Sequence, residues 1–514
     1  MTAWVEVALQ SHRSEEGASG AVVAVLEQMP VLAGSACVRM RLAARDIPLK
    51  AQGWRLAIET ADGACNLCAV QEEGMPMPGF TRYRTFARPA GEDLATSLRE
   101  FADSDETLRR PLAKAHRFVA APDVAEPDAL ASQEGESGEF VAASVALSEQ
   151  EREVERIEWR IEAGGADILA TLDTPVDGRP VLRLAAPAAN GSLDAVFQFA
   201  AEVIDTAPFF IAPGELHEPE SDAVHAARLD LPRKATCREA FVAIAASVAE
   251  QWFGNEAAAR SGIGDEHVHQ LRVAQRRLKT LLKLFPGYVD EVWNTRIAPD
   301  LKWFGDLLAD ARDWDVFTDK TLPAYAEADD SAARWQALIA AADVKRRIAR
   351  DGVCDALASK RYARLTLAFV EWLARFASQD DETPKRFVSY AEKRVRKDYR
   401  RIADVPDLVS LEAHERHRVR IHAKRLRYAL EFFRSVTSQR TRNETARLLG
   451  ELQAALGEAN DAAVAADRLA SMPEASDYQR GFARAWGAAS ARKDAEDGER
   501  LLRAMHRPRV KSSL

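Results

Sequence analysis

The 514-residue sequence predicts a multi-domain protein, with an α+β N-terminal domain of antiparallel strands followed by an all-α domain. A chain of this length exceeds what a single hydrophobic core usually supports. β-Formers broken by Asp-Gly and Gly-Gly turns dominate up to about residue 215, whereas apolar residues recur at helical spacing from about residue 234. Charge divides in the same way: residues 1–230 hold 20 Lys and Arg against 38 Asp and Glu, and residues 231–514 hold 50 against 41. This asymmetry indicates that the second part meets an anion.

The N-terminal domain is predicted over residues 1–215. Strands are expected in "SACVRMRLAA", "GWRLAIETADGACNLCAV", "VERIEWRIEAGGADILATLDT" and "RPVLRLAAP", and helices in "GAVVAVLEQM" and "GSLDAVFQFAAEVIDTA". An acidic insert rich in Pro, Ser and Gly interrupts the strands at residues 121–140 and is expected to be a mobile loop. An acidic segment with three prolines then predicts a linker over residues 216–233.

The helical domain is predicted over residues 234–505, followed by a C-terminal tail at 506–514. Two stretches in it, "HQLRVAQRRLK" from His269 and "HRVRIHAKRLR" from His417, share the pattern H-x-x-R-x-x-x-[KR]-R-L-[KR] and lie 148 residues apart. This period is too long for a solenoid repeat. It fits a duplicated helical bundle, with repeats at about 234–380 and 381–505 and an approximate internal two-fold axis.

On a helical wheel, each repeated stretch places its cations on one side and its leucines on the other. The first basic face contains His269, Arg272, Arg276, Arg277, Lys279 and Lys283; the second contains His417, Arg420, Lys424, Arg425 and Arg427. Like charges at this spacing repel, so a bound anion would explain them better than a solvated charged surface, which is the alternative. Further cations of the same domain are included as candidates: Arg346, Arg350, Arg361 and Arg394.

A carboxylate follows each basic helix at the same 148-residue offset, Asp313 in "DARDWDVF" and Asp461 in "GEANDAAVA". We expect each to orient an arginine of its basic face through a charge-assisted hydrogen bond, without a catalytic role. Arginine and lysine suit phosphate oxygens, and the histidines would donate when protonated. The histidines have no Cys or carboxylate partner at helical spacing, so we expect no metal site there.

The sequence has no run of about 18 apolar residues and no basic start followed by an apolar core, so neither a membrane span nor a secretory signal is predicted. Five cysteines include one C-x-x-C, at Cys65 and Cys68, without a second pair for zinc. They are expected to be reduced thiols of a cytoplasmic protein.

Five motifs, in order, resemble the CHAD domain (conserved histidine α-helical domain) over about residues 230–505: "EHVHQLRVAQRRLKTLLKLF", "DARDWDVF", "SKRYARLTLAFVEWL", "VRIHAKRLRYALEFF" and "LQAALGEANDAAVA". The resemblance implies two four-helix bundles related by pseudo-two-fold symmetry, around a basic channel that binds inorganic polyphosphate. It carries a binding role onto the matching residues of the two basic faces. Two positions depart from the pattern. Ala309 occupies the position of the first repeat that is equivalent to Gly457, where the family usually has glycine. Glu431 occupies the position of the second repeat that is equivalent to the cation Lys283.

The N-terminal domain more faintly resembles the CYTH or triphosphate-tunnel fold, through "WVEVAL", "DIPLKAQGWRLAIE" and "RPVLRLAA". The catalytic pattern of that family is depleted. If Glu6 is the second carboxylate of the E-x-E-x-K start, Trp4 and Ala8 replace the first glutamate and the lysine. A triphosphatase needs carboxylates for a divalent metal and cations for phosphates in one tunnel. We therefore expect a degenerate, non-catalytic domain.

Together these observations predict non-catalytic binding of inorganic polyphosphate by both basic faces, in the cytoplasm and with polyphosphate granules as one target. No cofactor is expected. Nucleic-acid binding through the same helices is the alternative, although aromatic residues for stacking are scarce on that side. An active metal-dependent triphosphatase remains a third possibility.

Overall fold

The computed structural model describes residues 3–11, 22–23, 26, 31–42, 53–61, 64–74, 77–91, 94–109, 151–175, 178–212, 222–262, 265–329, 331–381 and 383–510. The chain divides into two compact units, Met1–Glu218 and Pro219–Leu514. The acidic insert predicted at residues 121–140 lies outside the described residues, as do the beginning of the predicted linker and the end of the C-terminal tail.

The N-terminal unit is built on one nine-stranded antiparallel sheet. Its strands are β1 (Ala3–Ser11), β2 (Val31–Leu42), β3 (Trp54–Ala61), β4 (Ala64–Glu72), β5 (Phe80–Pro89), β6 (Glu151–Ala163), β7 (Ala166–Pro175), β8 (Val181–Pro187) and β9 (Phe209–Ile211). The strand order is β5-β4-β3-β2-β6-β7-β8-β1-β9, and β1 also pairs with β5. The first eight strands therefore close into a ring, which leaves no open edge between β1 and β5.

Alternation along the strands separates an apolar face from a polar one. In β1, Val5, Val7 and Leu9 are buried, whereas the residues between them are partly exposed. Helix α1 (Leu94–Asp103) follows β5, and helix α2 (Ser192–Thr206) packs on β1, β7 and β8. The predicted α+β domain of antiparallel strands is confirmed; β5, β9 and α1 were not predicted.

The second unit is helical. Its helices are α3 (Cys237–Phe253), α4 (Glu256–Arg260), α5 (Asp265–Leu284), α6 (Ala298–Val316), α7 (Leu322–Ala328), α8 (Gln336–Leu357), α9 (Lys360–Ala377), α10 (Phe387–Ala403), α11 (Ala413–Phe432), α12 (Ala446–Ser471) and α13 (Asp477–Ala504). A π-helical turn precedes α6 at Trp293–Ile297 and another precedes α12 at Thr441–Thr445. Capping boxes at Thr236, Glu412 and Ser476 satisfy the first amides of α3, α11 and α13.

The element bounds repeat with the offset of the sequence motif. Helices α5 and α11 begin at residues 265 and 413, the π-helical turns begin at 293 and 441, and α6 and α12 begin at 298 and 446. The starts of α3 and α10 are joined by reciprocal hydrogen bonds, in which the Cys237 amide donates to the Lys385 carbonyl at 2.9 Å and the Phe387 amide donates to the Ala235 carbonyl at 3.1 Å. The predicted two-fold duplication of the helical domain is therefore confirmed.

The two halves also meet through side chains near this axis. Phe285 and Phe433 occupy equivalent positions just beyond α5 and α11, and their rings lie edge to face at 6.2 Å. Helices α5 and α11 contact each other directly. The core of the unit thus holds the two basic helices side by side.

Candidate anion-binding site

Helices α5 and α11 each bury an apolar face in the core and carry their basic side chains on the other face. Leu271, Leu278 and Leu281 of α5 are fully buried, as is Leu426 of α11. Both helices carry acidic side chains in the first turn, where their negative charge stabilises the positive end of the helix dipole. Burial of the leucine stripe fixes the rotation of each helix, so the basic side chains are turned away from the core.

The Lys424 ammonium indicates that the two basic faces share one space. Its pKa is lowered to about 8, first by burial and then by four guanidinium groups: Arg420, Arg276, Arg272 and Arg427. Two of these arginines belong to α11 and two to α5. Repulsion from a neighbouring cation lowers the pKa of a lysine only at short range, so cations of both helices surround Lys424.

The first basic face is half-buried and partly held by hydrogen bonds. Arg272 donates through Nη1 to the Leu308 carbonyl and through Nη2 to Oδ1 of Asp313, both at 3.3 Å. The predicted orienting role of Asp313 is confirmed. Arg276 has a buried Nε without a hydrogen-bond partner and forms no ion pair with any described side chain.

His269 lies in the same cationic surroundings. Burial lowers its pKa below the usual value, and Arg312, Arg276 and Arg272 lower it further against the opposing effect of Glu266. At neutral pH the imidazole is therefore uncharged. An anion bound beside it would favour the protonated, donating form.

Arg312 is a cation of this site that sequence reasoning missed. It is half-buried, its charge lowers the pKa of both His269 and Arg272, and it has no ion-pair partner in the described part of the chain. It stands within the acidic motif "DARDWD", and the equivalent position of the second repeat is Asn460. Arg312 is not part of a run of cations and is not repeated in the second half, so neither the charge pattern nor the repeat indicates that it belongs to the site. Its direct neighbour Asp313, which contacts Arg272, was the available signal.

Two lysines continue the first face toward the C-terminal end of α5. Burial and nearby cations lower the pKa of Lys279, partly offset by Asp306. Its ammonium lies over Gly305 of α6, where a Cβ atom would stand 2.7 Å from Nζ. Lys283 is exposed one turn further on. Glycine at 305 is what allows Lys279 to lie against α6.

The second face follows the same order along α11. His417 is exposed and Arg420 half-buried, whereas the Arg427 guanidinium lies 4.9 Å from the ring centroid of Tyr428. The side chain of Asp461 lies outside those that the structure describes. Glu431, which departs from the cationic pattern, accepts a hydrogen bond from Nε of Arg277 at 2.9 Å.

The structure places Arg277 and Arg425 off these faces. Arg277 is 3% exposed and donates to Gln251 at 2.7 Å as well as to Glu431. The pKa of Arg425 is lowered by burial, and its electrostatic neighbours are the residues of α10, chiefly Asp398. Both residues therefore pack toward other helices.

The four further candidates are each engaged by carboxylates elsewhere in the unit. Their partners are Asp319 and Asp343 for Arg346, Asp265 and Asp315 for Arg350, Asp300 for Arg361, and Asp398 for Arg394. Arg361 also lies over Trp303 at 4.1 Å, and Arg394 donates to the Lys283 carbonyl. These contacts do not bring them to Lys424.

The polar face of the N-terminal sheet carries its own ion-pair network. Asp173 is fully buried and accepts from Arg156 at 2.7 and 3.0 Å and from Arg183. Burial alone would raise the pKa of Asp173, but the two guanidinium groups outweigh burial and lower it. Arg156 also pairs with Glu59 at 3.3 Å. Both arginines are thus neutralised by neighbouring carboxylates.

Two further properties of the described residues bear on the class of protein. Across the described ranges, no three His, Cys, Asp or Glu side chains are grouped as a metal site would require. None of the helices described above is long and apolar enough to span a bilayer.

Comparison with known proteins agrees with the helical architecture. Residues 243–470 match the sequence model of the CHAD domain. The CHAD domain from the plant Ricinus communis has 29% identity and a TM-score of 0.50, and the match covers 56% of this chain and 99% of that one. PptA from Streptomyces chartreusis has 19% identity and a TM-score of 0.39, covering 52% and 98%. HpAC1 from Hippeastrum, described as having a dominant triphosphatase activity, has 9% identity and a TM-score of 0.26, covering 41% and 92%. No curated protein matches.

The helical unit therefore contains a CHAD domain, over residues 243–470. The N-terminal unit has the antiparallel strands that the resemblance to the tunnel fold implies.

Proposed function

We propose that the helical unit binds inorganic polyphosphate without hydrolysing it, through a channel lined by both basic faces. The observation that carries this proposal is the surroundings of Lys424, where four arginines from two helices act on one half-buried ammonium. Such a cluster is electrostatically costly in the free protein. A polyanion would remove that cost, since each phosphate offsets part of the repulsion.

The residues that we assign to the site are cations that are linked by their electrostatic effects on one another. They are His269, Arg272, Arg276, Lys279 and Arg312 from the first half, and Arg420, Lys424 and Arg427 from the second. Along one helix, successive basic residues are separated by about 5.4 Å, one helical turn. A linear chain of phosphates presents anions at regular intervals and can meet successive turns. Lys283 and His417 extend the two faces toward solvent.

Charge reversal tests the site. We expect Arg276→Glu and Arg420→Glu to weaken the binding of long-chain polyphosphate strongly, because each replaces a cation of the shared space by an anion. The slope of log affinity against log salt should become shallower, by roughly 0.7–0.9 for each phosphate that the protein no longer neutralises, the value known for nucleic acids. The matched control is Arg484→Glu, an exposed arginine of α13 without an ion-pair partner in the described part of the chain. Equal losses in all three variants would mean diffuse attraction rather than a channel.

Nucleic-acid binding is tested in the same assay. RNA of the same total charge is added as a competitor to a polyphosphate complex. RNA should not displace polyphosphate, because Tyr428, the aromatic residue beside Arg427, is 3% exposed and its ring cannot stack on a base. Preference for RNA would favour the alternative function.

We further propose that the N-terminal unit has no triphosphatase activity. Trp4 and Ala8 share the polar face of β1 with Glu6, whose carboxylate accepts a hydrogen bond from Tyr83 at 3.0 Å. Arg156 and Arg183 are paired with Asp173, so their charges are not available to a phosphate. Incubation with tripolyphosphate and Mg²⁺ or Mn²⁺ is the test. Metal-dependent phosphate release above the buffer control would refute the proposal.

This function would direct the protein to polyphosphate granules in the cytoplasm. A fluorescent fusion should colocalise with granules, and the Arg276→Glu variant should lose that localisation. Granule association unaffected by the variant would assign targeting to another surface.

A further inference from the structure

A cavity of about 280 Å³ lies in the helical unit where α11 ends and α12 begins. Its polar lining consists of Arg228, Ser247, Arg277, Arg427, Arg434 and Arg442, with Glu431 as the acidic member. Leu229, Ile244 and Phe432 contribute apolar walls. Five arginines and one glutamate give the cavity a strongly positive lining, and apolar walls strengthen the field inside it.

Most of this charge is uncompensated. Arg277 is the arginine that pairs with Glu431. The other four form no ion pair with a described side chain, and Nε of Arg427 is buried without a hydrogen-bond partner. Ser247 is 6% exposed, and its hydroxyl likewise has no partner among the described residues. Buried polar groups are nearly always hydrogen-bonded, so these atoms point to a ligand that the cavity receives.

The wall formed by residues 226–229 follows a residue that is anchored to the core. Two residues earlier, the Val224 amide donates to Oδ1 of Asn255 at 3.0 Å, and Nδ2 of Asn255 donates to the Val224 carbonyl at 2.8 Å. Asn255 is completely buried. The cavity is therefore bounded on this side by a segment that is anchored to the core at Val224.

The cavity is a feature of one half. The positions equivalent to Arg434 and Arg442, at the 148-residue offset, are Pro286 and Asn294, and Glu431 corresponds to Lys283. Repetition of the basic helix therefore does not account for Arg434 and Arg442 in the cavity. Arg427 belongs both to this cavity and to the surroundings of Lys424.

We propose that this cavity binds a diphosphate group, either free pyrophosphate or the end of a polyphosphate chain. Its volume is about twice the roughly 150 Å³ of a cavity that holds benzene, which leaves room for on the order of ten non-hydrogen atoms, the size of a diphosphate. Arginine forks match phosphate oxygens, and the Ser247 hydroxyl supplies a further donor. The inference rests on the proposed function, since it gives the bound chain a defined end.

Titration calorimetry of the full-length protein with pyrophosphate tests the site. We expect saturable binding to one site. The double variant Arg434→Gln with Arg442→Gln should weaken it at least about tenfold, and Ser247→Ala by about three- to tenfold. The control is Arg484→Gln with Lys493→Gln, two exposed cations of α13 that the cavity does not include. Ser247→Ala removes one hydroxyl and no charge, so it reports on the cavity even if the double variant is unstable.

Long-chain polyphosphate with chemically blocked ends shows whether the diphosphate group in the cavity is the end of a chain or free pyrophosphate. If the cavity takes the chain end, blocking should remove the part of the affinity that depends on Arg434 and Arg442. If it takes free pyrophosphate, blocking should have no effect. Failure of pyrophosphate to bind, or equal binding by the double variant and wild type, would overturn the inference. The proposed function would then still stand if Arg276→Glu weakened long-chain binding, and would fall separately if it did not.

Discussion

Titration of Lys424 offers the most direct measure of the shared basic space. The pKa of this lysine is about 8 in the free protein, against 10.5 for an ordinary lysine. A bound polyanion offsets the repulsion that lowers the pKa, so binding should return it toward the ordinary value and take up a proton above pH 8. The difference of about 2.5 pH units corresponds to roughly 3.4 kcal/mol, or about three-hundredfold in affinity, as an upper limit.

The affinity for polyphosphate should therefore be steady from pH 7 to 8 and then fall by up to about tenfold for each pH unit, up to about pH 10. Calorimetry in two buffers with different ionisation enthalpies would count the protons taken up. Lys424→Met should bind more weakly at pH 7 and show a much flatter profile. Lys279→Met is the control, because it leaves Lys424 in place and should retain most of the slope. If wild type and Lys424→Met had the same slope between pH 8 and 10, the cluster around Lys424 would not be the binding site.

The same pKa has a consequence for stability. A lysine whose pKa is lower in the folded state than in the unfolded state makes the unfolded chain bind more protons between the two values. The free energy of unfolding contributed by Lys424 should thus rise as the pH rises from about 8 to 10.5. This direction is opposite to that of the affinity, so the two effects can be separated.

Three further outcomes are expected. Gly450→Ala, where space is open, should raise the free energy of unfolding by up to about 1 kcal/mol through helix propensity. Gly305→Ala should stabilise less, because the added Cβ would stand 2.7 Å from the flexible ends of Gln275 and Lys279 and must displace them. Urea unfolding measures both, and equal or greater stabilisation by Gly305→Ala would contradict the packing. Tyr362→Phe should cost about 2–4 kcal/mol, since the hydroxyl donates to buried Glu256 and accepts from Trp252 at 2.8 Å; an unfolding midpoint like that of wild type would contradict this. The helical unit expressed alone should fold and bind polyphosphate, and binding by the full chain alone would move part of the site to the N-terminal unit.

The helical fold was predictable because its evidence is periodic. The 148-residue spacing of His269 and His417 is reproduced by the helix boundaries, and the leucine stripe fixes which side of each helix is basic. Strand β5 was missed because it shows no regular alternation: Arg82 and Arg84 are exposed on the same face as buried Phe80 and Phe86. Pairing with β1 and β4 places the strand in the sheet, and a local pattern does not reveal it.

The site was predictable only in part, because a sequence gives charges without their partners. Arg277 and Arg276 are adjacent and both basic, yet one is buried against Glu431 and the other belongs to the cluster around Lys424. Glu431 lies 154 residues from Arg277, so no local pattern pairs them. The same applies to Arg350, whose carboxylate partners come from two other helices. Tertiary packing decides which cations remain available.

The reciprocal hydrogen bonds between the starts of α3 and α10, and the contact of Phe285 with Phe433, are what an isologous dimer shows across its two-fold axis. Two identical chains would be bound by that symmetry, and every substitution would appear twice. Joining the halves in one polypeptide lifts this restriction. Glu431 could arise without changing Lys283, and Arg434 without changing Pro286. A ligand lying across the axis of a symmetric dimer would meet two indistinguishable ends, whereas in this chain the two ends differ, and the arrangement has acquired a direction.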